Sequence, residues 1–333
     1  MHRFRNPLRW LIGFLPILLL AADAVSTNVA VIDPATNDLP RVWVVVGAEG
    51  DAEFGVRFRS QAAHWTNACF KAGVECRVLG LAEPGAESDR DLLHRMIVAE
   101  PTNGPAPLWI VLIGHGTWDG HDAKFNLRGP DLTASELAQW LKPNGRPLAM
   151  INTASASAPW IPALSGPRRV VISATRSGDE QNATRLGDAL AEAIADPSGD
   201  LDQDGQTSLL EAFLKASART AEWYQTAGRL ATEHALIDDN GDGMGTPAAW
   251  FRGTRATRTA ADGARLDGSV ARQFVLLRSP LEQKMTAVQR TRRDALELEL
   301  SRLRERRPLA PDDAYYRKVE TLALELARLQ AGP

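Results

Sequence analysis

One histidine and two hydroxyl residues lie where reactive groups would meet. His115 follows the apolar run Pro107–Ile113, and Thr153 and Ser155 follow the next apolar run, with Ser155 40 residues after His115. A histidine facing a hydroxyl is the minimum needed for nucleophilic attack on an acyl carbon. Gly116 leaves room for a substrate backbone and offers an amide N–H to a developing oxyanion. The alternative is structural: His115 caps a strand end, and the hydroxyls bind backbone groups in a turn.

A twelve-residue acidic loop carries a second chemical signal. Residues 200–211 match the EF-hand calcium loop at every ligand position, with a glycine at the sharp turn. The predicted ligands to Ca²⁺ are Asp200, Asp202, Asp204, Gln206 through its carbonyl, Ser208 through water, and Glu211 through both carboxylate oxygens. Apolar periodicity over 186–194 and 209–213 predicts the two flanking helices. The alternative is an acidic surface turn.

A second acidic turn, Asp-Asp-Asn-Gly-Asp-Gly at 238–243, resembles the first half of such a loop. The twelfth residue counted from Asp238 is Ala249, which cannot chelate a metal. The sequence therefore favours a turn stabilised by its own side chains over a weak metal site at Asp238, Asn240 and Asp242.

Short apolar runs that alternate with helical stretches must position these residues. The predicted strands are 41–47, 75–79, 107–113, 147–152 and 169–173, and the predicted helices include 54–69, 88–100 and 133–141. Continuous apolar runs of this length suit strands buried on both faces of a parallel sheet. The alternation predicts a mostly parallel, doubly wound α/β sheet. In such a sheet ligands bind beyond the carboxyl ends of the strands, where His115, Thr153 and Ser155 lie.

The chain resembles the caspase and legumain peptidases over residues 40–250. In that superfamily one strand ends in His-Gly and the following strand ends in Ala-Cys before a loop of small residues, about fifty residues later in caspases. His115-Gly116 is similar to the first motif, and Thr153-Ala-Ser155-Ala-Ser157 is similar to the second. The resemblance implies a three-layer caspase-like α/β fold and a peptide or protein as the ligand.

The position that matches the family's nucleophilic cysteine holds Ser155, or Thr153 if the register moves by two residues. A thiol, with a pKa of about 8.5, reaches the thiolate easily, whereas a hydroxyl needs a well-oriented base. We therefore expect a degenerate or weakly active peptidase-like domain. The alternative is an active endopeptidase with His115 as base and Ser155, or Thr153, as nucleophile. A serine hydrolase of another fold is disfavoured, because the chain has no Gly-x-Ser-x-Gly motif.

The composition of the chain and its N-terminal residues limit the class of protein. Apolar residues make up 44% of the chain, and the formal net charge of -3 gives no reason to expect a nucleic-acid partner. A basic stretch, an apolar stretch over 10–22 and a small-residue cleavage site predict a signal peptide over 1–24, and hence a secreted or periplasmic protein. The apolar stretch is shorter than the roughly 20 residues of a membrane helix. An uncleaved membrane anchor is the alternative. In both cases we expect the protein to contact a membrane only through this segment.

The C-terminal part follows a domain boundary. Residues 253–278 are rich in Arg, Thr, Ala and Gly without periodicity, which predicts a linker after a domain of residues 40–252. Ser279-Pro280 predicts the start of a long helix, and a second helix follows the prolines at 308 and 311. We expect a coiled-coil-like helical hairpin over 279–331 that packs on itself, on the main domain or on another copy of the chain.

The two cysteines admit two interpretations. Cys69 lies near the end of a predicted helix, and Cys76 opens the next strand. An oxidising compartment permits a disulfide between them. Free cysteines are also commonly buried and inert, so the sequence leaves both states open.

Overall fold

The computed structural model describes residues 38–331 except Pro84 and Ala261, so the predicted signal peptide over 1–24 lies outside the described residues. The strands are β1 Arg41–Val46, β2 Glu75–Leu79, β3 Leu108–Ile113, β4 Gly116–Trp118, β5 Ala123–Phe125, β6 Leu132–Thr133, β7 Leu148–Asn152, β8 Arg169–Ser173, β9 Leu236–Asp238, β10 Thr246–Pro247, β11 Phe251–Arg252 and β12 Arg255–Ala256. The helices are α1 Ala52–Ala72, α2 Asp89–Ala99, α3 Ala134–Trp140, α4 Trp160–Leu164, α5 Leu186–Ala193, α6 Leu209–Thr226, α7 Pro280–Lys284, α8 Ala287–Glu305 and α9 Asp313–Ala331.

The main sheet of the described residues has seven strands in the order β10-β9-β8-β7-β3-β1-β2. The strands β1, β2, β3, β7 and β8 pair in parallel, whereas β9 pairs antiparallel with β8 and with β10. The prediction of an α/β fold with a mostly parallel sheet is confirmed. Strands β9 and β10 were not predicted, because runs of three and two residues are too short to show a period.

Helices cover both faces of this sheet, which gives three layers. Alternate residues of β1 point to opposite faces, as the pleat of a strand requires. Val42 and Val44 join a buried cluster with Trp65 of α1 and residues of α5 and α6. Trp43 and Val45 join a second cluster with residues of α2, α3 and α4. Each large apolar side chain so buried contributes about 1.5–3 kcal/mol to folding.

Side-chain caps mark the starts of α2 and α3, which agree with the predicted helices over 88–100 and 133–141. The hydroxyl of Ser88 accepts from the Asp91 amide at the start of α2, and Thr133 forms a capping box with Glu136 at the start of α3. The predicted long helix from Ser279 is instead divided, because α7 ends before Met285 and a new capping box begins at Thr286. Helices α8 and α9 pack on each other, which confirms the predicted C-terminal helical pair.

The stretch 253–278, predicted as a linker, is packed against the α/β domain. Phe274 and Leu276 are buried in the same cluster as α6. The amide of Leu209, the first residue of α6, donates to the carbonyl of Phe274 at 2.7 Å. Irregular backbone shows no sequence periodicity even when it is buried. An aperiodic sequence therefore does not distinguish a linker from a packed segment such as this one.

Both cysteines are free thiols, with Cys69 buried and Cys76 half-buried.

Within the described ranges, no helix combines the length and the apolar character needed to cross a membrane.

Candidate functional site

The sheet brings the predicted reactive residues to one edge. Strands β3 and β7 are neighbours, with Leu112 opposite Asn152 in register. His115 follows β3, and Thr153 and Ser155 follow β7, so all three lie at the carboxyl ends of adjacent strands. This is the arrangement that the order of elements predicted.

Ser155 bonds to the backbone of Gly116. The Gly116 amide donates to Ser155 Oγ at 3.1 Å, and Ser155 Oγ donates to the Gly116 carbonyl at 2.9 Å. The His115 carbonyl accepts from the Asn126 amide, which puts Gly116 at a position of β4 whose own polar groups point away from β5. Ser155, only 4% exposed, satisfies both of those groups. A side chain at Gly116 would meet the Ser155 carbonyl oxygen at 2.2 Å, so this approach requires glycine.

Thr153 also serves the backbone. Its Oγ1 donates to the carbonyl of Leu112 at 2.8 Å, and its amide donates to the same oxygen at 3.1 Å. The side chain is buried. Both candidate nucleophiles therefore have hydroxyls bonded to main chain, as the structural alternative expects.

His115 is half-buried beside two aromatic rings and a main-chain carbonyl. Its Nε2 donates to the carbonyl of Glu49 at 3.2 Å, and its ring meets Phe54 and Phe58 edge-on at centroid distances of 4.6 and 5.2 Å. In the described part of the chain, His115 makes no hydrogen bond to Ser155 or Thr153.

A small cavity lies between His115, Thr153 and Gln61. Its volume is about 10 Å³, which is close to the space of one water molecule. Gln61 Oε1 is buried, with no hydrogen-bond partner among the described residues. The cavity thus offers a water three polar neighbours, but it has no room for a peptide.

The loop after β8 contributes residues that the sequence analysis left without a role. The Glu180 carboxylate accepts from the amides of Arg176 and His234, and Glu180 Oε1 lies 2.5 Å from Nδ1 of the His234 ring. The Glu180 carbonyl accepts from the amide of Ala156, which has a left-handed φ of 51°. His234 lies 54 residues from Glu180 in sequence, so no local pattern joins the two residues.

The predicted calcium loop joins α5 to α6. The ligand oxygens of Asp200, Asp202 and Asp204 lie within 4.8 Å of one another. The Asp200 carboxylate accepts from the amides of Asp204 at 3.1 Å and Gly205 at 2.9 Å. Gly205 has a φ of 87°, a left-handed conformation that favours glycine.

Glu211 closes this loop. One carboxylate oxygen accepts from the amides of Leu201 and Asp202, and the other accepts from the amide and hydroxyl of Ser208. Ser208 and Glu211 form the capping box of α6. The last predicted ligand is therefore fixed both to the start of the loop and to the helix that follows.

The charges of the loop favour a cation. Burial, and then the neighbouring Glu211, raises the pKa of Asp202. Burial also raises the pKa of Asp204, against hydrogen bonds from Gln206 that lower it. Arg272 Nη2 lies 3.2 Å from Asp202 Oδ2 and supplies some positive charge. Clustered carboxylate oxygens with a nearby amide and carbonyl fit the donor set that Ca²⁺ takes in proteins.

The second acidic turn is stabilised by its own side chains. The Asp238 carboxylate accepts from the amides of Gly241 and Gly243, both at 3.0 Å. The side chain of Asn240 accepts from the amide of Asp242.

A distant aspartate completes this turn. The Asp267 carboxylate accepts from the amides of Asp239 and Asn240 and from the hydroxyl of Thr246. Glu211 likewise bonds the second and third amides of the first loop and a later hydroxyl. The carboxylate that position 249 lacks in the second turn is thus supplied from outside it, which a count of positions along the sequence does not reveal.

The protein has an α/β fold with a mostly parallel sheet and a C-terminal helical pair. No family model and no curated protein matches the chain. Among solved structures, it is similar to the Drosophila initiator caspase Dronc, with a TM-score of 0.39 and 13% identity over 62% of this chain and 82% of that one. It is also similar to caspase-1 from Spodoptera frugiperda, with a TM-score of 0.40 and 10% identity over 62% of this chain and 88% of that one.

Proposed function

We propose that the chain is an exported calcium-binding protein whose α/β domain resembles a caspase or legumain peptidase but does not cleave peptides. The observation that carries the loss of activity is the double hydrogen bond between Ser155 and Gly116. A nucleophile needs a base within hydrogen-bond reach and an open path to the substrate. The Ser155 hydroxyl is buried, and both of its hydrogen bonds are to the main chain of Gly116.

The surroundings of His115 support the same proposal. A base must accept a proton from the nucleophile, but His115 makes no hydrogen bond to Ser155 or Thr153 among the described residues. Ligand pockets usually measure about 300–1,000 Å³, whereas the cavity beside His115 measures about 10 Å³.

Calcium binding is supported by the ligand spacing of residues 200–211 and by the convergence of three carboxylates. Export is supported by the signal peptide predicted over 1–24. In this proposal the domain is a binding module, and calcium stabilises the side of the fold formed by α5 and α6.

Thermal unfolding tests the calcium proposal. Calcium at about 100 times its Kd stabilises a protein by about 2.7 kcal/mol when only the folded state binds it, so the native protein should melt several degrees higher than in chelator. Asp200→Ala and Glu211→Gln should abolish the rise, while Glu320→Gln on the exposed face of α9 should keep it. Identical melting curves in calcium and in chelator would show that the loop does not bind the ion.

Thiol chemistry tests the loss of activity. With Cys69 and Cys76 changed to serine, Ser155→Cys leaves one thiol at the position of the family's nucleophile. We expect slow alkylation at a rate that His115→Ala does not change, because no hydrogen bond joins the two side chains. A thiol that reacts faster than an ordinary cysteine, and slows when His115 is removed, would favour the active endopeptidase instead.

Peptide hydrolysis is the second readout of activity. The native protein should cleave no peptide faster than its His115→Ala variant does. Cleavage that disappears in the Ser155→Ala or the Thr153→Val variant would identify the nucleophile and overturn the proposal.

A further inference from the structure

A cleft of about 810 Å³ lies at the amino ends of the parallel strands, between the sheet and α8. Its floor includes the prolines that precede four of these strands, Pro40, Pro107, Pro147 and Pro167. Proline has no backbone N–H, and the carbonyls of Pro107 and Pro147 accept from the amides of neighbouring strands. The floor is therefore apolar and offers few free hydrogen-bonding groups.

The opposite wall is also partly apolar. Val270 and Phe274 line the cleft from the segment before α7, and Leu298 lines it from α8. Prolines and aliphatic and aromatic side chains together line a space of the size that small-molecule ligands occupy. The middle of the cleft thus suits an apolar ligand body.

At one end of the cleft the arginines are neutralised. Arg278 and Arg290 both pair with Asp38, at 3.0 and 2.5 Å. Arg293 pairs with Glu282 and Asp294. These pairs join α7 and α8 to the start of β1 and leave no net positive charge for a ligand.

At the other end three arginines lack such partners. Arg168 donates to the Gly145 carbonyl at 3.0 Å, and Arg265 donates to the Asn240 carbonyl at 3.2 Å. Arg302 lines the cleft beside Arg265. Within the part of the chain that the structure describes, none of the three pairs with a carboxylate. Guanidinium groups bind carboxylate, phosphate and sulfonate oxygens through paired N–H donors.

We propose that this cleft binds a small organic anion with an apolar body. The body lies between the prolines and α8, and the charged group lies against Arg168, Arg265 and Arg302. The proposal is independent of the site at His115, Thr153 and Ser155, because those residues lie at the opposite, carboxyl ends of the strands.

Fluorescence titration of the full chain with 8-anilinonaphthalene-1-sulfonate, an aromatic sulfonate, tests the proposal. We expect saturable binding that the double variant Arg265→Gln, Arg302→Gln weakens about tenfold, because two charge-assisted contacts are lost. Arg317→Gln is the matched control: Arg317 is an exposed arginine on α9 that also lacks a carboxylate partner among the described residues. It should bind the probe as the native protein does.

A neutral probe separates the two parts of the cleft. N-phenyl-1-naphthylamine has a similar ring system without the sulfonate, so its binding should be unaffected in the double arginine variant. Leu298→Trp should weaken both probes by filling the apolar space, with circular dichroism as the check on folding. Equal sulfonate affinity in the native protein and the double variant would overturn the proposal, as would a Leu298→Trp protein that is folded and binds both probes normally.

Discussion

Gly116 and Ser155 are joined by two hydrogen bonds that use both main-chain polar groups of the glycine. The partner strand β5 does not reach these groups, so the serine hydroxyl takes the place of a neighbouring strand. A hydroxyl in this role is a structural requirement whether or not an ancestor used the position for catalysis.

Ser155→Ala should therefore destabilise the fold. A buried amide and carbonyl left without partners cost about 1–3 kcal/mol, and urea unfolding would measure that loss. Ser60→Ala is the control, since Ser60 is exposed on α1, and it should leave the free energy of unfolding nearly unchanged. An alanine at 155 with native stability would mean that water replaces the hydroxyl without cost.

Asp267 is a second buried residue, and its burial changes the pKa of its carboxyl group. Burial, and then the negative charge of Asp239, raises its pKa from 3.8 to about 8. The folded state therefore keeps a proton that the unfolded state loses between these two values. Under this linkage the free energy of unfolding falls as the pH rises from about 4 to about 8.

Asp267→Asn should remove this pH dependence, because an amide keeps the hydrogen-bonding shape without titrating. Relative to the native protein, the variant should gain stability between pH 5 and pH 8, by at most about 1.4 kcal/mol per pH unit. Urea unfolding in chelator at several pH values would give the difference. A difference that stays constant with pH would place the pKa of Asp267 near its ordinary value.

At the scale of elements, a feature could be predicted when the residues that determine it lie close together in the sequence. The buried strands and the helices that begin at Ser88 and Thr133 could be predicted because their patterns lie within a few residues. The acidic loop over 200–211 could be singled out for the same reason, since its predicted ligands recur within twelve positions. The bond of Ser155 to Gly116 could not, because it depends on the direction of β4, a strand of three residues.

Thr286 marks a helix start that was not predicted from the sequence. It separates α7 from α8 and forms a capping box with Gln289. Thr286→Ala should lower the free energy of unfolding by about 1 kcal/mol, measured by urea unfolding. Thr321→Ala is the matched control inside α9, where the hydroxyl bonds to the preceding turn, and it should cost less. Equal effects of the two changes would argue against the division of the helix at Met285.

At the scale of the whole molecule, the acidic loop over residues 200–211 is bonded to the segment that begins the C-terminal helices. The side-chain oxygen of Gln206 accepts from the amide of Ser279, the cap of α7, at 3.1 Å. Arg272, from the segment between the domain and α7, meets Asp202. An ion held at residues 200–211 would therefore restrain the loop, α7 and the segment that connects them together.

Hydrogen exchange should detect this connection. Calcium should slow amide exchange in α6 and in α7 of the native protein, because both are attached to the loop. Gln206→Ala keeps the main-chain carbonyl that is the predicted ligand but removes the side-chain bond to Ser279, worth about 1 kcal/mol. In this variant the protection of α6 should remain, while calcium-dependent protection of α7 should fall about fivefold, since 1.4 kcal/mol corresponds to tenfold. Glu211→Gln should lose both effects. If α7 of the Gln206→Ala variant were as protected as in the native protein, the hydrogen bond at Ser279 would not be the link between calcium and the C-terminal helices.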